Sequence, residues 1–368
     1  MISKDAKLLS KEVDSQNREM DDFNVGDDVP LLSQSLQHSD IEDKPPPDYQ
    51  SSTLFEGKGV TIRKHTQIGE VVAQACNVPW EQANQYAIAA LPQDKWVDSA
   101  NDSTRWKPSA ETLTSLERVL HVQEESSFFD RCLFNWLGCG NLRPLQLHLS
   151  VDEESGVLYT VQRDFMLGGV CGCPLTMDMF KVSGGNKVPI GRVRENFDDW
   201  FDKCFQVCCK ATVYHDVQTL GPNWGDGERD NTKNYISAQP GHAENPMSQD
   251  GRKFTRMPHD DDYKTVYTLR ANLSCCGRVN NCCGSTCFKN DMVFDVLDRQ
   301  GVAMATVQKT YAPSEHMGCN AFCRAGQRFS NYLVEFPEDA TVEARALIVT
   351  SVFQLDFHRF EKRGGKNH

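Results

Sequence analysis

Between residues 118 and 336 the chain falls into short runs in which apolar and polar side chains alternate. They are 118–123 (RVLHVQ), 145–151 (LQLHLSV), 157–163 (VLYTVQR), 175–182 (LTMDMFKV), 188–193 (VPIGRV), 204–214, 265–273, 291–307 and 331–336. A period of two puts successive side chains on opposite faces, so each run is expected to be a strand with one wet face. Residues 152–156 and 298–301 supply turn residues between such runs. Near the C-terminus the alternation stops. Residues 346–353 read ALIVTSVF, within an apolar stretch from 344 to 360. A helix that is apolar all round is either a buried core helix or a membrane span. Its uncharged part, 346–355, is half of the roughly 20 residues a span needs, and Arg345 and Asp356 flank it. It is therefore expected to be buried. Antiparallel strands followed by one buried helix predict a closed barrel that the helix fills, since closure removes sheet edges and a small barrel needs a packed interior.

The N-terminal part has another texture. Residues 59–111 read as a helical or irregular lead-in: 68–91 suggests two helices separated at Pro79, and Ser109 is placed to cap a short helix. Residues 216–264, rich in Gly, Pro, Asn and Asp, read as a solvated insertion. Residues 1–58 are polar and poor in aromatics, and are expected to be disordered; 362–368 form a short tail. The net charge is −12, and residues 1–60 hold 13 acidic against 6 basic side chains. Such a balance argues against nucleic acid as a partner. The first ten residues lack the apolar core of a signal peptide, so the chain is expected to face the cytosol. Two short motifs lie in the tail. Asp27 stands four positions before Leu31-Leu32, the spacing of an acidic dileucine sorting signal. Pro46-Pro47-Asp48-Tyr49 is a Pro-Pro-x-Tyr motif, and a polyproline strand of this kind docks on aromatic grooves such as those of WW domains.

Fifteen cysteines are many for a chain expected in a reducing compartment, where a disulfide framework does not persist. Cys275, Cys276, Cys282, Cys283 and Cys287 fall within 13 residues and offer a thiolate set for zinc. Acylation and plain packing of thiols are equally open there. Among the histidines, His121, His148 and His358 fall on strand or helix positions and read as core or surface residues. No phosphate loop, nucleophile elbow or HExxH pattern is present in the sequence, so no covalent catalysis is expected.

In order and spacing, several segments resemble the phospholipid scramblase family. They are 142–163, 165–180 with Cys171-Gly172-Cys173-Pro174, the Val-Pro-Ile-Gly-Arg-Val run at 188–193, the strand pair at 292–307, and 330–339 followed by Leu355-Asp356-Phe357 and Phe360-Glu361. The resemblance covers about 112–361 apart from the insertion. It implies a mainly β, tubby-like fold: a closed antiparallel β-barrel around a buried C-terminal helix. The activity it implies is ATP-independent, bidirectional movement of phospholipids between the leaflets of the plasma membrane, in response to calcium. Some family members act instead as lipid-associated adaptors, which here would recruit WW-domain partners. The family's cysteine run is an acylation site, which implies palmitoylation at Cys171 and Cys173. One acyl chain gives marginal membrane binding and two give stable anchoring. For calcium, the resemblance leaves Asn331 and Asp339, because Arg328 and Ser330 stand where the family has acidic residues. The implied location is the cytoplasmic face of the plasma membrane, lipid-anchored, with endosomal trafficking through the dileucine motif.

Overall fold

The computed structural model describes residues 55, 57–65, 83–95, 97, 105–127, 143–152, 156–165, 173–183, 186–197, 199–206, 212–221, 258–272, 292–310 and 331–360. In chain order their strands are β1 (Gly59–His65), β2 (Gln85–Ala90), β3 (Arg118–Glu125), β4 (Leu145–Ser150), β5 (Val157–Arg163) and β6 (Thr176–Ser183). They continue with β7 (Asn186–Glu195), β8 (Thr212–Leu220), β9 (Tyr263–Asn272), β10 (Met292–Leu297), β11 (Ala303–Thr310) and β12 (Asn331–Glu335). The helices are α1 (Ala110–Ser115), α2 (Trp200–Cys204) and α3 (Val342–Leu355), and a wide helical turn at Asp356–Phe360 extends α3. Each strand pairs antiparallel with its neighbours in sequence, and β12 closes the ring on β1 with Val60 opposite Val334 and Ile62 opposite Tyr332. The described strands thus form a closed barrel, as expected, and it has twelve strands.

Alternation decides the interior. Leu145, Leu147 and Leu149 of β4, Leu120 and Val122 of β3, and Phe294 and Val296 of β10 all join one core around α3. The helix is buried from Ala346 to Leu355 and lies nearest β6 to β9. Its start is capped by Thr341, whose hydroxyl accepts from the Ala344 amide at 3.3 Å. The polar residues of α3 are bonded inside the barrel. Thr350 and Ser351 donate to the carbonyls of Ala346 and Ile348, and Gln354 donates to the Leu175 carbonyl at 2.7 Å. An apolar helix can carry such groups in a core because their donors are hydrogen-bonded. At Gly191 the wall comes so close that a Cβ would sit 2.4 Å from the Gln218 carbonyl and 2.5 Å from a Leu347 methyl. No helix among the described residues is long and apolar enough to cross a membrane.

Three expectations are corrected. Within the 59–111 lead-in, β1 and β2 are barrel strands, so 85–90, expected to be helical, is β2, whereas the helix expected before Pro79 lies outside the described residues. The barrel domain therefore begins not at 112 but before Gly59, since Phe55, expected in the disordered 1–58 tail, is buried in the core. Within that segment the Ser109 cap is present, its hydroxyl accepting from the Thr112 amide at 3.1 Å to start α1. The 91–117 segment packs Leu91, Val97 and Leu113 over the outer side of Leu333, covering that part of the wall. Next, 204–214 is not one strand. Its start belongs to α2, capped by Asp199, and β8 begins at Thr212. Lastly, the insertion is shorter than 216–264, because β8 runs to Leu220 and β9 begins at Tyr263.

Candidate functional site

In an antiparallel ring, alternate connections open at the same end. The segments joining β1 to β2, β3 to β4, β5 to β6, β7 to β8, β9 to β10 and β11 to β12 leave and return at one rim, and all 15 cysteines of the sequence fall within them. Cys173 is exposed there and Cys204 half-buried, neither in a disulfide. The exposed aromatic side chains among the described residues lie at this rim too: Phe165 after β5, and Trp200, Phe201 and Phe205 on and beside α2, between 42% and 76% exposed. The local chain holds them outward. Asp199 accepts from the Asp202 amide at 2.8 Å, Gln206 donates to the Asn196 carbonyl at 2.9 Å, and the Lys203 ammonium lies 4.7 Å over Phe197. These bonds fix the backbone of α2, so Trp200 and Phe201, in edge contact at 5.3 Å, stay in solvent.

Beneath this rim the barrel is closed by buried charge. α3 enters from the opposite rim, and its C-terminal end meets residues from the cysteine-side ends of the strands. Asp356 accepts from the hydroxyls of Tyr86 (3.0 Å) and Tyr332 (2.6 Å) and faces the Lys309 ammonium at 3.7 Å. The Phe357 ring has the guanidiniums of Arg143 and Arg163 each 5.9 Å from its centre. Arg143 is paired with Glu124 at 3.0 Å, and His358 Nδ1 lies 3.1 Å from Glu195 Oε1. A helix C-terminus carries partial negative charge, so the three cations Arg143, Arg163 and Lys309 suit this position. The lumen at this end is packed and charged.

At the opposite rim a groove of about 650 Å³ lies between the start of α3, the 298–300 turn and the edges of β7 to β9. Ile190, Leu220, Arg299, Asp339 and Glu343 line it. Tyr267 also lines it and donates to Asp339 at 3.0 Å. Burial, reinforced by that bond to Asp339, pushes the Tyr267 phenol up to about 12. The turn is shaped by Asp298, whose carboxylate accepts from the amides of Gln300 and Val302 at 2.8 Å each, and by Gly301 at φ +80°.

On the outer wall Asp178, Arg192, Tyr263 and Asp260 form a second cluster. The Arg192 guanidinium lies 4.0 Å over the Tyr263 ring and donates to Asp260 at 2.5 Å. Burial raises the Asp178 carboxyl to about 6, with Asp164 and Asp260 adding to the rise and Arg192 and the Tyr263 bond opposing it. A carboxyl that binds its proton more tightly when folded contributes stability at low pH and loses it as pH rises from about 4 to about 6. Asp178→Asn should therefore gain stability relative to the wild type as pH goes from 4 to 7, read from urea midpoints across that range. A difference that does not change with pH contradicts the shift.

The structure places some expected site residues and separates others. Cys173 is at the cysteine rim. Asn331 opens β12 at that rim, whereas Asp339 follows the far end of the same strand and lines the opposite groove. Five strand residues alone span roughly 15 Å, so the structure does not bring Asn331 and Asp339 together around one ion. Cys171, the set Cys275, Cys276, Cys282, Cys283 and Cys287, the motif residues Pro46, Pro47 and Tyr49, and Asp27, Leu31 and Leu32 lie outside the described residues. The exposed aromatics of α2 and the buried charges under the rim were not expected. A signal for the first was present in DWFDKCF at 199–205, which sets three aromatics among charged residues.

These features define a class: a closed antiparallel barrel built around a C-terminal helix. The Scramblase family model matches residues 251–362, the part that supplies β9 to β12 and α3. The match covers 112 of the 368 residues, and over that part the chain is similar to the scramblase family. Comparison with curated proteins and with solved structures gives no match.

Proposed function

We propose that this protein is a membrane-attached phospholipid scramblase that meets the bilayer with its cysteine rim. The observation that carries this reading is the gathering of Phe165, Trp200, Phe201 and Phe205 at the rim that also bears Cys173. Aromatic side chains settle at the headgroup level of a bilayer, and acyl chains on Cys171 and Cys173 would hold the rim there. The scramblase family match supports membrane phospholipids as the partner. Because α3 and the charges beneath the rim fill the lumen, lipids do not pass through the barrel. In this reading they move along its outer surface, where inserted aromatics disturb the leaflet next to the protein. The plasma membrane is the proposed site and calcium the proposed stimulus. With Asn331 and Asp339 apart, each would need other partners to hold calcium, which takes six to eight oxygens.

The filled lumen equally favours a second reading, a lipid-bound adaptor that recruits WW-domain proteins through Pro46, Pro47 and Tyr49 and moves no lipid. Full-length acylated protein reconstituted in vesicles with a labelled lipid separates the two. Scrambling predicts loss of label asymmetry in both directions without ATP, and no flux with or without calcium leaves the adaptor reading. A Trp200→Ala, Phe201→Ala, Phe205→Ala triple variant is expected to lower both vesicle binding and flux at least several-fold. Val302→Ala with Met304→Ala at the opposite rim should change neither. Equal binding by the triple variant would remove the rim from the account.

A further inference from the structure

Under the rim, three side chains converge that neither the lipid contact nor the fold requires as a set. Glu195 ends β7, His215 lies in β8, and His358 lies in the turn that extends α3. Their ligand-type atoms all lie within 4.8 Å of one another, and all three are buried. We infer that Glu195, His215 and His358 form a binding site for a divalent transition-metal ion of the zinc class, which fastens the end of the central helix to the barrel wall.

The geometry suits that ion. Ligands bonded to zinc at about 2.0–2.2 Å in tetrahedral array stand roughly 3.3 Å apart, and Glu195 Oε1 is 3.1 Å from His358 Nδ1. The two imidazole rings lie side by side, 6.3 Å between centres and 26° between planes. The carboxylate is oriented by its other oxygen. Glu195 Oε2 accepts from the Leu175 amide at 3.0 Å and from the Lys203 ammonium at 3.4 Å, which leaves Oε1 as the oxygen turned towards His358. Bonds of this kind behind a ligand fix its direction and are the usual companions of metal sites. The Leu175 carbonyl in turn accepts from Gln354 of α3, so the same backbone unit ties helix, strand and ligand together. Two imidazoles and one carboxylate are a zinc donor set with a fourth position for water or another ligand. The same set serves ferrous iron, but zinc needs no redox partner and accepts a buried, irregular site more readily. Lys203 pairs with the far oxygen of the carboxylate at 3.4 Å, so it balances charge on the side away from His358.

The test uses full-length protein stripped with a chelator and titrated with zinc alone. The thermal midpoint should rise with zinc in the wild type and in Cys173→Ser and Cys204→Ser variants, and should not rise in His215→Gln or His358→Gln. X-ray absorption of the zinc-loaded wild type tests the site even where the histidine variants do not fold. One zinc per chain with a nitrogen and oxygen shell near 2.0 Å supports the site, and a sulfur shell near 2.3 Å assigns the metal to the cysteines instead. A sulfur shell, no binding, or an unchanged zinc response in folded histidine variants overturns the inference and leaves Glu195 and His358 as a buried contact between side chains. None of these outcomes bears on lipid flux, so this inference and the proposed function fail separately.

Discussion

Asp356→Ala should lower the stability of the barrel by about 3–5 kcal/mol, the usual effect of removing one partner of a buried charge pair. The Asp356 carboxylate takes hydrogen bonds from Tyr86 on β2 and Tyr332 on β12 and faces Lys309 on β11. Those strands lie to either side of β1, where the ring closes. Without the carboxylate, two buried phenols lose the acceptor they share and a buried ammonium loses its counter-charge. Native domains are stable by only about 5–15 kcal/mol, so a loss of this size takes a large part of the total. Asp356→Asn keeps an oxygen for the phenols and should fall between wild type and Asp356→Ala. Urea unfolding followed by far-UV circular dichroism reads the order. An Asp356→Ala midpoint equal to that of the wild type would mean that the carboxylate is solvated.

Phe353→Ala should lower stability by about 3–5 kcal/mol, the range for emptying a large aromatic site in a core that cannot collapse. Phe353 is 1% exposed near the end of α3. Its ring meets that of Tyr86 at 5.1 Å, and Tyr86 in turn meets Phe357 at 6.3 Å. The barrel wall is held by its own hydrogen-bond ladder and cannot move in to fill the space. Phe353→Leu keeps most of the volume and should lose roughly a third as much or less, since near-volume swaps cost under about 1.5 kcal/mol. The comparison is made by the same urea unfolding. If Phe353 faced lipid or solvent, both variants would match the wild type.

The strands that the sequence makes legible are those with one wet face. β4 alternates buried and half-exposed residues along its whole length, and β5 occupies the stretch its pattern predicts. β2 hides its nature because its outer side is covered. Its middle residues, Tyr86 to Ala89, are all buried, so QYAIAA has no period of two and resembles a short helix. β10, buried at every position, is recovered only because a clear turn and β11 follow it. For α3 the lack of any polar side is itself the signal, because a barrel surrounds it. The residues under the rim are illegible for another reason. Tyr86 and Asp356 are 270 positions apart, and Leu175 and Gln354 are 179 apart. Each such residue looks like an ordinary surface charge or scattered polar group until the ring closes. His358, read from the sequence as an unremarkable core or surface histidine, gains its meaning only beside Glu195 and His215.

The proposed function depends on α3 lying inside the barrel, since on that proposal a filled lumen sends lipids around the protein and makes the rim the membrane contact. A double-mutant cycle between Tyr86→Phe and Asp356→Ala tests this most directly. The Tyr86 hydroxyl donates to Asp356 at 3.0 Å, and contacting residues couple by about 0.5–3 kcal/mol where distant ones add within about 0.3–0.5 kcal/mol. Urea unfolding of the wild type, the two single variants and the double variant should give a coupling of at least about 0.5 kcal/mol. Additive effects would contradict the account, because they would place the end of the helix away from β2 and outside the barrel.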